Sequence, residues 1–186
     1  MDWKEQLAFF EHAKKWDDAI FYMEHVIEQN HDSVDAYLSM NYLLMNLLVE
    51  EQHDCSKHDY YARLLKYYFD ESYAKFSNNA AYLYYIARIA SIFDWYLGIE
   101  FEDIHEMFKK ALILDPDNLV YQWAYYGHDL DKNNPSDKDE ILAYYKLVLQ
   151  EDSPIQKELK ERGALGKYIL EIMQNTAQGV LAGEKY

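Results

Sequence analysis

The sequence predicts an all-helical fold of about nine helices, with no sheet. Apolar residues recur at spacings of three and four, and no run alternates apolar and polar residues with a period of two. Only six of the 186 residues are glycine, and no Asn-Gly or Asp-Gly pair marks a hairpin. Half of the residues are hydrophobic and 17% are aromatic, so the chain can bury a core. Helices joined by short polar segments predict stacked antiparallel helix pairs.

The first three predicted helices follow from regular apolar stripes. Residues 2–14 place Trp3, Leu7 and Phe10 on one helical face, at spacings of four and three. After a polar break, the second stripe consists of Ala19, Ile20, Met23, Val26 and Ile27. Ser33 is placed to cap a third helix. The apolar residues of this third helix are Tyr37, Met40, Tyr42, Leu44 and Leu48.

A charged stretch from Glu50 to Asp59 interrupts the helical pattern before two further helices. The fourth helix is predicted over about 60–76, and a polar stop separates it from the fifth, over about 80–97. The fifth helix is apolar on most sides, so we expect neighbouring helices to bury it. Gly98 is predicted to end it, because glycine commonly follows the last turn of a helix.

The segment from Ala111 to Asn118 carries the clearest helix end in the chain. A sixth helix over about 102–114 is predicted to stop before Pro116, which lacks a backbone donor and disfavours helix at the preceding residue. Asp117 or Asn118 can then accept hydrogen bonds from the free amides of the next helix. The predicted apolar stripe of the sixth helix is Ile104, Phe108, Ala111, Leu112 and Leu114.

Two more helices are predicted before the C-terminal segment. The apolar residues of the seventh helix are Leu119, Tyr121, Trp123, Ala124 and Tyr126. A polar loop over 129–139 leads to an eighth helix over about 137–150. Ser136 with Asp139 or Glu140 forms a capping-box pattern for that helix.

A last helix is predicted to begin at Ser153 and Pro154, because proline suits the first turn of a helix. It is predicted over 153–178, despite Gly163 and Gly166, and its polar outer face suits a helix that caps the end of a stack.

The charge balance is strongly acidic, with 33 Asp and Glu against 18 Lys and Arg and a formal net charge of −15. Phosphate backbones and anionic membrane surfaces repel such a chain, so we expect neither a nucleic-acid nor a membrane partner. A basic protein partner is favoured, because opposite charges attract over long range. The alternative is that the acidic surface only keeps the protein in solution.

The sequence also predicts a location and argues against catalysis. A single cysteine, an acidic N-terminus and the lack of a long uncharged apolar run favour a soluble cytoplasmic protein. No phosphate loop, dinucleotide motif or nucleophile elbow is present. His53, Cys55 and His58 lack both the support of a catalytic site and the paired spacing of a zinc site. Glu102 and His105 form a single Glu-x-x-His turn, whereas di-iron bundles need two. We therefore expect no catalytic residue, cofactor or metal.

The second half of the sixth helix resembles a known repeat family. Phe108, Ala111 and Pro116 match the aromatic, small and proline positions that end a tetratricopeptide repeat, in which two helices alternate over about 34 residues. Trp3 and Tyr37 fit the same first-helix position one period apart. The first unit also fits the family at Leu7, Phe10, Ala19 and Met23.

The resemblance implies one domain over residues 1–186. Residues 1–151 would form about four degenerate helical hairpins, and residues 153–178 would cap them. The sequence departs from the family at His31, where proline is usual, and it lacks the first-helix glycine throughout. It is also stretched at Glu50–Asp59, at Leu97–Phe101 and in the long loop after Leu130.

The resemblance also implies a concave face lined by the first helix of each pair. Carried over onto this sequence, the candidate partner-binding residues on that face are Asp35, Tyr42, Tyr84, Arg88 and Trp123. Tyr42 and Trp123 also fit a plain core role. Arg88 lies on a mostly apolar helix, so an internal ion pair competes with partner recognition. Asp129 and Asp131, in the acidic loop before the eighth helix, are further candidates for specificity.

Two functions remain open. The first is a non-catalytic binding protein for a basic partner. Its most concrete form is an immunity protein that inhibits a toxin, in particular a nuclease whose cationic surface the acidic chain would cover. The second is a tetratricopeptide-like adaptor or secretion chaperone that holds an extended peptide in its concave groove. A compact acidic, tyrosine-rich patch would favour the first, and an open apolar concave groove would favour the second.

Overall fold

The computed structural model describes residues 2–49, 55–92, 94–124 and 135–182, and all regular structure in them is helical. This confirms the all-α prediction. The α-helices whose bounds lie within these ranges are α1 (Trp3–His12), α2 (Trp16–Gln29), α3 (Val34–Val49), α4 (His58–Phe76), α5 (Ala80–Ala90), α6 (Asp94–Leu97), α7 (Phe101–Leu114), α8 (Pro135–Leu149), α9 (Pro154–Glu161) and α10 (Gly163–Leu181). Residues 122–124 are also helical. A 3₁₀-helix over Cys55–Lys57 leads directly into α4.

The chain divides into two compact units, Met1–Leu114 and Asp115–Tyr186. In the first unit, successive helices pack in pairs: α1 on α2, α3 on α4, and α5 on α7. The first helices of the second and third pairs, α3 and α5, also pack on each other. A salt bridge of 2.7 Å between Lys4 Nζ and Asp35 Oδ2 joins α1 to α3.

The core of the first unit is rich in tyrosine. Its fully buried large side chains include Tyr37, Tyr61, Tyr82, Tyr84 and Tyr85. A buried ring contributes on the order of 2 kcal/mol through area removed from water, provided that its hydroxyl finds a partner. Tyr37 donates to Glu71 Oε1 at 2.6 Å, and Tyr82 shares a hydrogen bond of 2.8 Å with Ser72. These two phenols are thus buried with their hydroxyl groups hydrogen-bonded.

The fifth predicted helix is shorter than its apolar pattern indicates. The pattern predicts helix over about 80–97, whereas α5 ends at Ala90 and α6 begins at Asp94. Apolar residues continue past the end of α5 because the short α6 packs on α4, so periodicity alone does not locate the break. Gly98 follows the short α6 and does not end the fifth helix as predicted; its φ is +66°, and its amide donates to Asp94 O at 2.8 Å.

The helix end at Pro116 is confirmed. Helix α7 stops at Leu114, and Asn118 Oδ1 accepts from the amides of Val120 at 2.9 Å and Tyr121 at 3.2 Å. Of the apolar residues predicted for this helix, Ile104, Phe108 and Ala111 are buried, whereas Leu114 is 47% exposed.

In the second unit, α8 and α9 both pack on α10. Ser153 caps α9 by accepting from the Gln156 amide at 3.3 Å, with proline in the first turn as predicted. The single last helix over 153–178 is wrong, because Gly163 takes a φ of +64° and separates α9 from α10. The side chain of Ser136, and with it the predicted capping box, lies outside the described residues. The division into four repeat units and the assignment of 1–186 to one domain stay predictions.

Candidate functional site

A groove in the first unit has a volume of about 380 Å³. We call it the α4–α7 groove, since those two helices form its walls. The residues that line it are Phe69, Tyr73, Leu83, Ile99, Asp103, Glu106, Met107 and Lys110. Its volume lies in the range of pockets that hold a small molecule or a protein side chain.

The α4 wall of the groove consists of two aromatic rings. Phe69 and Tyr73 lie one helical turn apart and stack, with ring centroids 5.8 Å apart and an interplanar angle of 17°. Phe69 is buried, whereas Tyr73 is 37% exposed. Leu83 of α5 is buried between the walls. The groove therefore offers an apolar interior with one accessible aromatic face.

The α7 wall carries the charges. Asp103, Glu106, Met107 and Lys110 share one face of α7, since they are spaced by three, four and seven residues. Met107 is buried and contributes to the interior, while the two carboxylates lie on exposed positions. Asp103 also accepts from the Glu100 amide at 3.3 Å, which places its carboxylate at the first turn of α7.

Glu106 forms an exposed pair with Lys109, whose Nζ lies 2.9 Å from Glu106 Oε1. The hydrogen bond and charge of Lys109 hold the pKa of Glu106 below its ordinary value. Glu106 therefore stays ionised at neutral pH, and the pair with Lys109 is exposed and weak enough to be exchanged.

Lys110 is a cation that lines the groove, and its ammonium group binds the loop between α4 and α5. Its Nζ donates to Ser77 O and to Asn78 Oδ1, both at 2.7 Å. Both acceptors are neutral and belong to the loop between α4 and α5. This contact ties α7 to that loop and directs the ammonium group toward it.

The outer face of α4, outside the groove lining, carries further tyrosines and acids. Tyr60 is 44% exposed and Tyr67 is 57% exposed. The charge of Glu71, together with a hydrogen bond to it, raises the pKa of Tyr67 above its ordinary value. Asp70, on the same outer side, pairs with Lys66 at 2.5 Å. Helix α4 thus presents phenols and carboxylates together.

The structure places most of the predicted concave-face residues in the core. Tyr84 is fully buried, Tyr42 is 8% exposed and Trp123 is 7% exposed. Trp123 packs edge-on against Tyr145, with centroids 5.7 Å apart, inside the second unit. This burial favours the core interpretation of Tyr42 and Trp123, and it places Tyr84 away from the surface as well. Asp35 is partly exposed and pairs with Lys4.

Arg88 lies against aromatic rings. Its guanidinium carbon is 4.7 Å from the centroid of the Phe108 ring and 5.4 Å from that of Tyr84, and its Nε donates to Tyr84 Oη at 3.4 Å. Cation–π contacts of this kind stabilise a partly buried arginine. The structure brings Tyr84 and Arg88 together, and the predicted carboxylate partner of Arg88 stays a prediction.

The remaining predicted residues are placed as follows. Asp129, Asp131, His53 and the side chain of Cys55 lie outside the described residues. The prediction that His58 lies in the charged stretch before the fourth helix is wrong, because His58 is the first residue of α4. Its Nε2 lies 2.6 Å from Tyr96 Oη.

Sequence reasoning missed the α4–α7 groove. The apolar pattern of the fourth helix does not single out Tyr73, and composition does not distinguish Asp103 and Glu106 from the other acidic residues. The available signal was the charged series Asp103, Glu106 and Lys110 beside Met107 on one helical face.

No family model matches the chain, and no curated protein or solved structure shows significant similarity to it. None of the described helices is both long enough and apolar enough to cross a membrane. Within the described ranges, no three His, Cys, Asp or Glu side chains are grouped so that they could hold a metal ion.

Proposed function

We propose that this chain is a non-catalytic binding protein whose acidic surface captures a basic protein partner. The most concrete form of the proposal is an immunity protein that inhibits a toxin, in particular a nuclease. The observation that carries it is the α4–α7 groove, where the exposed ring of Tyr73 on α4 lines the same cavity as the carboxylates of Asp103 and Glu106 on α7.

Two physical effects support this surface as an interface. Tyrosine is enriched at binding hot spots, because its ring buries a large area while its hydroxyl still finds a partner. A net charge of −15 attracts a cationic protein before contact and raises the rate of association. A nuclease needs a cationic surface for phosphate, and an acidic inhibitor can occupy that same surface.

The alternative function is a tetratricopeptide-like adaptor that binds an extended peptide in its concave groove. Tyr42 and Tyr84, which would line that groove, are buried, so this alternative has less support. The repeat arrangement itself is a separate proposal. The packing of α3 on both α4 and α5 supports it, since first helices are neighbours in such arrays.

The test is capture of the partner from the source cell, followed by an activity assay. The immobilised chain is incubated with extract at low salt, and bound proteins are identified by mass spectrometry. We expect a basic protein whose nuclease activity on plasmid DNA is lost at equimolar chain. Selective capture of a neutral or acidic protein would contradict the electrostatic proposal. A basic partner with nuclease activity that the chain leaves intact would contradict the immunity form.

A further inference from the structure

We infer that the α4–α7 groove binds an arginine side chain of the basic partner. This inference rests on the proposed function and specifies where on the chain the partner makes its most specific contact. The groove combines three features that arginine recognition needs: an apolar interior, an accessible aromatic face and carboxylates on one wall.

The apolar interior suits the long stem of the side chain. Leu83, Met107 and Phe69 are buried below the opening of the groove. Arginine and lysine both bury aliphatic stems along apolar surface while the charged head stays near polar groups. The planar guanidinium also stacks on aromatic rings, and Tyr73 offers an exposed ring stacked in place by Phe69. This ring favours arginine over lysine.

The carboxylates of Asp103 and Glu106 lie one helical turn apart on α7. Each ionised carboxylate has about four acceptor positions, so the single amide that Asp103 accepts leaves capacity for a guanidinium. Glu106 can exchange its exposed contact with Lys109 for a charge-assisted bond to a guanidinium at the rim of the groove. Lys110 also lines the groove, and its ammonium group donates to Ser77 O and Asn78 Oδ1 of the neighbouring loop.

Charge decides between the possible occupants. A second copy of the chain is disfavoured, because it brings another net charge of −15 toward the same surface. An uncharged apolar segment would fill the interior but would form no bond with the carboxylates of Asp103 and Glu106. A cationic side chain with an apolar stem satisfies both parts of the groove.

The experiment uses the full chain labelled with ¹³C at its methionine methyl groups. Met107 lines the groove, whereas Met23, Met40, Met45 and Met173 are buried elsewhere and serve as internal controls. The Met107 signal is assigned with the variant Met107→Leu. The probe is a short capped peptide that alternates arginine and leucine, and the comparison probe replaces every arginine with glutamate.

We expect the arginine peptide to shift the Met107 signal in a saturable way and to leave the four control methionines unchanged. The double variant Asp103→Asn/Glu106→Gln should weaken this binding by at least about tenfold, since it removes charge-assisted hydrogen bonds. The matched control Asp32→Asn/Glu102→Gln removes the same charge at two exposed positions outside the groove lining. It should change the affinity by no more than about twofold.

Three outcomes would overturn the inference: an unmoved Met107 signal, an equal loss of affinity in both double variants, or an equal Met107 shift with the glutamate peptide. The last of these would identify an apolar occupant. Circular dichroism checks that the variants fold, and the asparagine oxygen at position 103 can still accept from the Glu100 amide.

The captured partner separates this inference from the proposed function. If the basic partner binds the wild-type chain and Asp103→Asn/Glu106→Gln equally well, the arginine inference fails and the proposed function stands. If no basic partner is captured, the proposed function fails whatever the peptides do.

Discussion

At the scale of single residues, Ser72 and Tyr82 join α4 to α5 through a buried pair of hydroxyls. Ser72 Oγ lies 2.8 Å from Tyr82 Oη and 2.6 Å from Tyr68 O, and both side chains are fully buried. Serine inside a helix bonds its own backbone at little net gain, so the contact with Tyr82 is what gives Ser72 a role between helices. This contact fixes one side of the groove, because α5 carries Leu83.

A double-mutant cycle measures this contact. We expect Ser72→Ala and Tyr82→Phe each to lower the free energy of unfolding by about 1 kcal/mol, because each removes one partner of a buried hydrogen bond. The double variant should lose less than the sum of the two, measured by urea unfolding. Strict additivity would mean that the two hydroxyls do not interact.

Glu11 of α1 is an acidic residue whose carboxyl group is largely buried. Burial raises its pKa from 4.5 to about 7, and no cation among the described residues forms an ion pair with it. The raised pKa means that the folded state prefers the protonated acid. Its contribution to stability is therefore fully present below pH 4.5 and is lost as the pH rises through about 7.

Glu11→Gln should remove this pH dependence. At pH 8 we expect the variant to be more stable than the wild type by about 2 kcal/mol, after a reduction for the partial exposure of the side chain. At pH 4 the difference should nearly vanish. Urea unfolding at the two pH values measures it, with Glu5→Gln at an exposed position of α1 as the control. A difference that is equal at both pH values would contradict the burial of the charge.

At the scale of elements, the corner between α9 and α10 explains why one predicted helix is two. Gly163 adopts a positive φ that an L side chain rarely takes, and Gly166 lets the two helices approach closely. A Cβ on Gly166 would lie 1.8 Å from Leu159 O. Two glycines that look like tolerated residues in one long helix are instead the residues that allow the corner.

The two glycines should respond differently to alanine. Gly163→Ala meets no atom within 4 Å and should cost about 1 kcal/mol, the penalty for the left-handed conformation. Gly166→Ala should cost more than about 2 kcal/mol, because backbone must move. Thermal unfolding of both variants compares them. A smaller loss for Gly166→Ala than for Gly163→Ala would show that the close approach is not needed.

The helix ends also show what the sequence can predict. The end of α7 was predictable because Pro116 and Asn118 act through local backbone chemistry. The end of α5 was not, because apolar residues continue through the short α6, which packs on α4. Sequence signals locate a helix end that neighbouring residues cause through proline or a capping side chain. They do not locate a helix end that depends on packing against another helix.

At the scale of the whole molecule, the spacing of apolar residues was enough to predict the all-helical fold, but it did not predict the α4–α7 groove. Its walls come from residues 69–73 and 103–110, and only packing brings them together. Tyr42 and Trp123 show a second limit of prediction from the sequence. An aromatic residue on a helix face fits a core and a binding surface equally well until its burial is known.

The net charge of −15 makes electrostatic attraction a property of the whole chain rather than of one pair. Interactions between exposed charges weaken as salt shortens the screening length from about 10 Å at 0.1 M to about 3 Å at 1 M. The association rate with a basic partner should therefore respond to salt more strongly than the dissociation rate.

The most direct test of the proposed function is the association rate of the captured partner with the chain, measured across that salt range by surface plasmon resonance. We predict a fall of at least about tenfold in the association rate from 0.1 M to 1 M sodium chloride, with a smaller change in the dissociation rate. An association rate that stays constant across the range would contradict electrostatic capture of a basic partner.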